Sequence, residues 1–285
     1  MTSYLDGTDG LRLAADVGGP EDGPTVLLLH GGGQTRHSWT GTWRVLTDAG
    51  WRAISLDLRG HGDSDWHPEG NYLLDAFAED ALAVCRSLPT PPVMVGASLG
   101  GLSSLVAIAG SHPQDETARA LVLVDVANRV EPDGRNRIGA FMTANLDGFG
   151  SIEEAADAIS AYNPNRPRPT DLNGLAKNLR QRDDGRWYWH WDPAFIRGRF
   201  GSSDETRTSV VQPHRFDRAA EALEIPTLLV RGRRSDLLSM QGVEDFRSRV
   251  PHAEFVDVAG AGHMVAGDRN EVFNSAILEF LDRHR

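Results

Sequence analysis

A serine hydroxyl becomes a useful nucleophile only when a base removes its proton and a third group orients that base. Ser98 stands in a setting suited to this chemistry. Gly96-Ala97-Ser98-Leu99-Gly100 follows the apolar run Pro92-Val93-Met94-Val95 and precedes a small-residue stretch from Gly101 to Ala109. Strand, sharp turn and helix in that order turn a G-x-S-x-G match into a nucleophile elbow. The serine then occupies a strained position at the apex, and the residues two before and two after it must be small. Ala97 and Gly101 add clearance. The amides of the helix that follows, Leu99 first, face the same point and can stabilise an oxyanion. A chance match around a buried structural serine is the bland alternative. The strand before the motif and the partners downstream argue against it.

The expected base is His263, in Ala259-Gly260-Ala261-Gly262-His263-Met264, on a glycine-rich loop just past the last strand. The order serine, acid, histidine is the one this kind of elbow requires. His30 and His61 precede glycines after early strands, while His112, His252 and His284 fall on expected surface turns or at the terminus. The expected acid is Asp236, in the turn Gly232-Arg233-Arg234-Ser235-Asp236 after a strand. Asp125, at the end of Leu121-Val122-Leu123-Val124, can reach the same imidazole and stays open as the alternative. Charged residues at strand ends are otherwise commonly solvated or helix-capping. Gly31-Gly32-Gly33 supplies the second oxyanion donor, with the Gly32 amide paired to that of Leu99. A dinucleotide-binding turn with Asp57 as ribose ligand would need a glycine where Arg36 stands, so that reading is discounted. No HExxH, no CxxC and no His/Asp ligand spacing is found, so neither a metal nor another cofactor is expected.

These residues need elements to hold them. Thr25–His30, Arg52–Asp57, Val93–Gly96, Leu121–Asp125 and Thr227–Arg231 are apolar runs of the kind buried on both faces of a sheet. Glu254–Val258 is a weaker run, and Leu11–Val17 alternates like a half-exposed antiparallel strand. Helical segments, such as 75–85 and 270–281, lie between them. The pattern predicts an α/β fold: a mostly parallel, doubly wound sheet of about eight strands with helices on both faces. The alternation breaks at 128–223, which carries helical pieces at 152–161 and 172–181, prolines 164, 167 and 169, and an aromatic cluster. It reads as a helical lid inserted after the sixth strand, with the core at 1–127 and 224–285. Trp39, Trp187, Trp189 and Trp191 are the candidate pocket residues, with Tyr188, His190 and Phe195 in the same cluster. Packing is the commoner role of such a cluster. Arg180, Arg182, Arg186 and Arg197 lie nearby, and any of them could meet a substrate carboxylate.

Composition sets the outer bounds. The 285 residues carry 40 acidic and 29 basic side chains, a formal net charge of −11, which disfavours a broad nucleic-acid surface or an anionic membrane. Cys85 is the single cysteine, so no intrachain disulfide can form. The first residues have neither a basic n-region nor an apolar h-region, and no run approaches the ~18 apolar residues of a membrane span. A cytoplasmic protein acting on a small molecule is expected. Its oligomeric state is left open.

The chain resembles the α/β-hydrolase fold superfamily, and in particular lid-bearing bacterial esterases, haloperoxidases and epoxide hydrolases. The likeness rests on His30-Gly31-Gly32-Gly33-Gln34, Asp57-Leu58-Arg59-Gly60-His61-Gly62-Asp63-Ser64, the Ser98 pentapeptide, Gly232–Asp236 and Gly260–His263. It implies Ser98 as nucleophile, His263 as base, Asp236 as its orienting acid and the Leu99 amide as half of the oxyanion hole, with His61 and Asp63 holding a loop. Epoxide hydrolases of this fold attack with a carboxylate, since an ester to that carboxylate can be hydrolysed whereas a serine ether cannot. Ser98 therefore selects a carbonyl electrophile. The expected activity is hydrolysis of a small carboxylic ester or lactone. The alternatives are C–C bond hydrolysis of a ring-cleavage diketone, haloperoxidase-like perhydrolysis, and a non-catalytic ligand-binding receptor on the same scaffold.

Overall fold

The computed structural model describes residues 2–162, 168, 172–200, 213–259, 261–262 and 271–285, without the side chains of 198–200 and 213. Strands β1 (Thr2–Asp6), β2 (Arg12–Gly18), β3 (Thr25–Leu29), β4 (Arg52–Leu56), β5 (Val93–Ala97), β6 (Ala120–Val124), β9 (Thr227–Gly232) and β10 (Glu254–Val258) form one eight-stranded sheet. A separate hairpin holds β7 (Leu179–Gln181) and β8 (Trp187–Trp189). The large sheet runs β1-β2-β4-β3-β5-β6-β9-β10, antiparallel for the first two pairings and parallel from β4 onward.

Alternate residues of the central strands feed two cores, as the two-residue period of a strand requires. Leu27, Leu29, Met94, Leu121, Leu123 and Leu229 face one. Val26, Leu28, Val95, Val122, Val124, Leu228 and Val230 face the other. Helices α1 (Thr40–Asp48) and α10 (Glu271–Asp282) cover the valine-rich face. Helices α2 (Leu74–Ser87), α3 (Leu99–Ala109) and α9 (Met240–Arg249) cover the other. In α2, Leu74, Phe77, Ala81 and Val84 make one buried stripe at helical spacing. Helix α3 is apolar nearly all round because it lies between the sheet and α2. Its buried Ser103 and Ser104 hydroxyls donate to the carbonyls of Leu99 and Gly100, each at 2.7 Å, so neither is left unsatisfied.

Between β6 and β9 come α4 (Pro132–Ala144), α5 (Ile152–Tyr162), α6 (Leu172–Ala176), β7, β8, α7 (Pro193–Phe200) and α8 (Pro213–Glu221). Strands β6 and β9 pair directly, Leu121 opposite Thr227, so this stretch adds nothing to the main sheet between them. The helix expected over 172–181 ends at Ala176, where Lys177 and Asn178 turn back onto Gly174 and Leu175, and 179–181 pairs with the aromatic strand β8. Helix α8 packs on α3 and α9 within the body of the fold. Strand β1 has no counterpart among the apolar runs of the sequence: it is a short, largely exposed edge strand.

Candidate active site

The chain enters and leaves Ser98 through contacts that exclude side chains. Ser98 has φ 46° and ψ −112°, in the left-handed half of backbone space that a serine rarely adopts. A Cβ at Gly96 would lie 2.5 Å from the Gly101 nitrogen, and one at Gly100 would lie 2.4 Å from the Leu29 carbonyl oxygen. The turn is anchored by Ser98 N–H to the Val124 carbonyl at 3.3 Å and Gly100 N–H to the His30 carbonyl at 3.2 Å.

Strand β3 ends beside this elbow. A Cβ at Gly31 would meet the Ser98 Cβ at 3.4 Å, and one at Gly32 would meet the Leu99 side chain at 3.7 Å. The glycine loop therefore lies against the serine, with Gly32 over Leu99. Two buried histidines hold it. His30 Nδ1 donates to the Gly31 carbonyl at 2.8 Å, and its Nε2 accepts from Leu58 N–H at 3.0 Å. Burial drives its pKa down to about 4, so the ring is neutral. His61 Nδ1 bonds the Arg59 carbonyl at 2.9 Å, and its Nε2 accepts from Gly33 N–H at 3.1 Å. Both rings brace the loop by these contacts. Asp57 is spent similarly: it accepts from the Arg36 N–H at 2.6 Å and pairs with the Arg36 guanidinium, which also reaches Asp16 and Asp63.

The two candidate acids sit in different surroundings. Asp125, directly after β6, is fully buried and has φ 52°. Its Oδ1 accepts from Gly232 N–H at 2.9 Å, and its Oδ2 from Ser235 Oγ at 2.5 Å. Asp236 turns away from this cluster. Its carboxylate pairs with Arg137 of α4 at 2.8 Å, and the two side chains are 40% and 46% exposed. His263 lies outside the described residues, but the chain leading to it is described as far as Gly262. Arg233 N–H donates to the Val258 carbonyl at 3.0 Å, and Arg234 N–H to the Ala261 carbonyl at 2.9 Å. A Cβ at Gly232 would lie 2.3 Å from the Gly262 carbonyl oxygen. The residue immediately before His263 thus lies on the glycine whose amide holds Asp125. Among the described residues no group of three His, Cys, Asp or Glu side chains could hold a metal ion.

A family model of the alpha/beta hydrolase fold matches residues 24–269. The chain belongs to the alpha/beta hydrolase fold family. It is 31% identical over 272 residues to an esterase of Mycobacterium tuberculosis, covering 91% of this chain and 83% of that one. It is 28% identical over 262 residues to a 3-hydroxybutyrate-oligomer hydrolase of Cupriavidus necator, covering 88% and 87%. The crystal structure of an E-2-(acetamidomethylene)succinate hydrolase superposes with a TM-score of 0.84 at 25% identity over 99% of both chains.

In this hydrolase Met142 of α4, Phe195 of α7 and Trp191 just before α7 pack on the glycine loop. A Cβ at Gly32 would lie 3.3 Å from the Phe195 ring, and one at Gly33 would lie 2.7 Å from the Met142 methyl and 3.3 Å from the Trp191 ring. Phe195 also meets His61 edge-on at 4.7 Å. Trp191 stacks on Trp189 at 5.1 Å and 8°, and Trp189 packs on Phe149 and Phe141. Trp187 is only partly buried and packs against the rim of this core. Trp39 is not brought to the site. It is fully buried on the valine-rich face of the sheet and stacks on Phe273 of α10. Met142 is a site neighbour that nothing in the sequence marks. Phe195 belongs to the aromatic cluster, and Ser235 stands in the Gly232–Asp236 turn, although the sequence assigns that serine no role.

The β7–β8 hairpin and the chain just after it are tied to the residues that follow β4. Gly62 N–H donates to the His190 carbonyl and Asp192 N–H to the Gly60 carbonyl, both at 2.8 Å. Tyr72 donates to Asp192 at 2.5 Å, and Arg180 pairs with Asp63. The hydrogen bond from Arg36 holds the Asp63 carboxylate below its usual range against the opposing effect of burial. Arg180 is thereby committed to a protein carboxylate.

Proposed function

We propose that this hydrolase cleaves a small carboxylic ester or lactone through an acyl-Ser98 intermediate. The observation that carries the reading is the left-handed Ser98 at the elbow, beside the Gly31–Gly33 loop and one strand from the buried carboxylate of Asp125. Asp125 serves as the acid in preference to Asp236, because it is buried, doubly hydrogen-bonded and next to the chain that leads into His263. His263 Nε2 takes the proton of Ser98 Oγ as that oxygen attacks the carbonyl carbon. Asp125 holds Nδ1–H and stabilises the imidazolium. The amides of Gly32 and Leu99 receive the negative charge that develops on the carbonyl oxygen. The imidazolium returns its proton to the leaving alkoxide. A water, deprotonated by the same ring, then attacks the acyl carbon; the bond from that carbon to Ser98 Oγ breaks, the imidazolium returns its proton to Oγ, and the acid is released.

The elements α4 to α7 serve as the cap, with α8 counted to the core. Met142, Trp191 and Phe195 favour an apolar or aromatic acyl or alcohol group. The esterase and oligomer-hydrolase relatives support an ester bond as the target. A net charge of −11 and a single cysteine fit a cytoplasmic protein whose partner is a small molecule. Fluorophosphonate treatment followed by mass spectrometry tests the reading. It should give one adduct, on the peptide containing Ser98, and Ser98→Ala should abolish both the adduct and p-nitrophenyl ester hydrolysis. An adduct elsewhere, or full activity in the alanine variant, overturns it.

A further inference from the structure

We propose that Ser235 is a positioning residue that locks Asp125 as a hydrogen-bond acceptor toward His263, an inference that rests on Asp125 being the acid. A hydroxyl has one proton and two lone pairs. In the turn after β9, Ser235 Oγ accepts from Leu237 N–H at 3.1 Å and from Leu238 N–H at 3.2 Å. Both lone pairs are thereby engaged, and the proton is directed to Asp125 Oδ2 at 2.5 Å. That is the short O–H···O⁻ distance of a charge-assisted bond. The direction of the bond is set by the turn and not by the carboxylate. Asp125 can satisfy it only as an acceptor, and Gly232 N–H makes the same demand of the other oxygen at 2.9 Å.

The turn that imposes this is itself fixed. Ser235 N–H donates to the Gly232 carbonyl at 2.8 Å. The buried Arg231 guanidinium donates to the Leu238 carbonyl at 2.7 Å and pairs with Asp257 at 3.1 Å. Asp125 needs such restraint because its backbone is left-handed at φ 52°, a conformation that persists only where neighbours hold it. With a donor on each oxygen the carboxylate plane is held, and under the proposed function the tautomer of the His263 imidazole is decided with it.

The test compares Ser235→Ala, Ser235→Thr and Asp125→Asn with the wild type on p-nitrophenyl butyrate, with kcat, KM and the pH profile measured for each. Ser235→Ala should lower kcat about 10- to 100-fold with KM within about twofold, since a carboxylate released from the hydroxyl no longer holds the imidazole aimed at Ser98 in the chemical step. The acid limb of kcat/KM should move upward by roughly 0.3 to 1 pH unit, because a carboxylate that has lost a donor attracts the imidazolium more strongly. Ser235→Thr keeps the hydroxyl and should restore both quantities. If Ser235→Ala does not fold, Ser235→Cys keeps the shape with a weak donor and should fall between wild type and the losses given. A kcat within twofold of wild type overturns the proposal. So does a loss with an unmoved acid limb and no rescue by threonine, which marks a role in turn shape alone. Full activity in Asp125→Asn defeats the assignment of the acid itself. Loss in Asp125→Asn with none in Ser235→Ala defeats only the role of Ser235.

Discussion

Exchanging the two candidate acids for asparagine gives a test whose outcome the surroundings of each predict. Asp125 is buried, and its oxygens receive Gly232 N–H and Ser235 O–H. An asparagine there has one carbonyl oxygen for two donors, so one donor faces an NH2 group, and the amide no longer favours the reactive imidazole tautomer. Loss of a triad carboxylate in this way lowers kcat by up to about 10⁴-fold, or about 5.5 kcal/mol of transition-state stabilisation. Asp236 stands in a 2.8 Å pair with Arg137 in which both side chains are exposed to solvent. Such pairs contribute about 0–1 kcal/mol. Asp236→Asn should therefore change kcat/KM by less than about fivefold, leaving a gap of roughly three orders of magnitude between the variants. Initial rates with p-nitrophenyl acetate and butyrate, on protein checked by circular dichroism and thermal melting, measure it. A larger loss in Asp236→Asn than in Asp125→Asn refutes the reasoning and moves the acid to the turn after β9.

Activity should fall as pH drops through the imidazole pKa of His263, because only the neutral ring accepts the Ser98 proton. A rate flat from pH 5 to pH 8 would contradict a histidine base where chemistry is rate-limiting. Stability should also fall in acid. His30 is held neutral with a pKa of about 4, so between about pH 6.5 and 4 the unfolded chain takes up a proton that the folded one refuses. The stabilisation is present above about pH 6.5, and about 3 kcal/mol of it is gone by about pH 4. Urea titrations of wild type and His30→Asn across that window should show a shallower slope for the variant, and equal slopes would remove His30 as the cause. Trp191→Ala should alter the ranking of acetate, butyrate, octanoate and benzoate esters more than it alters acetate hydrolysis itself, since the indole packs on Gly33. Unchanged ratios in folded protein would make the indole packing only.

The central sheet was legible because its strands are continuous apolar runs buried on both faces, a pattern that needs no knowledge of partners. The elements that escaped lack such a signal. Strand β1 is polar and exposed, and exists because Thr2 to Asp6 find register with Asp16 to Arg12. The helix expected through Gln181 stops early because Asn178 is claimed from outside, accepting from Thr35 Oγ1 at 2.8 Å, while Arg180 and Gln181 pair with Tyr188 and Trp187. Trp39 illustrates the same limit. It follows the glycine loop closely in sequence, yet the 3-10 turn Arg36–Trp39 carries its ring through to the other face of the sheet.

The proposed nucleophile and the proposed acid differ in how far sequence can reach them for a definite physical reason. What makes Ser98 an elbow is local: the excluded side chains at Gly96, Gly100 and Gly101 lie within three residues of it, so residue type alone records the constraint. What distinguishes Asp125 from Asp236 is not local. The donors to Asp125 come from Gly232 and Ser235, more than a hundred positions along the chain, and become neighbours only because β6 pairs with β9. Asp236, adjacent to Ser235, is drawn toward α4 because Gly134 lets that helix approach so closely that a Cβ there would lie 2.3 Å from the Asp236 carbonyl oxygen. One turn thus divides its consecutive side chains between two duties, Ser235 inward to the buried carboxylate and Asp236 outward to Arg137. A linear motif shows an aspartate after a strand in either case. Only the pairing of the strands decides which carboxylate is dry, doubly bonded and beside the chain that enters His263.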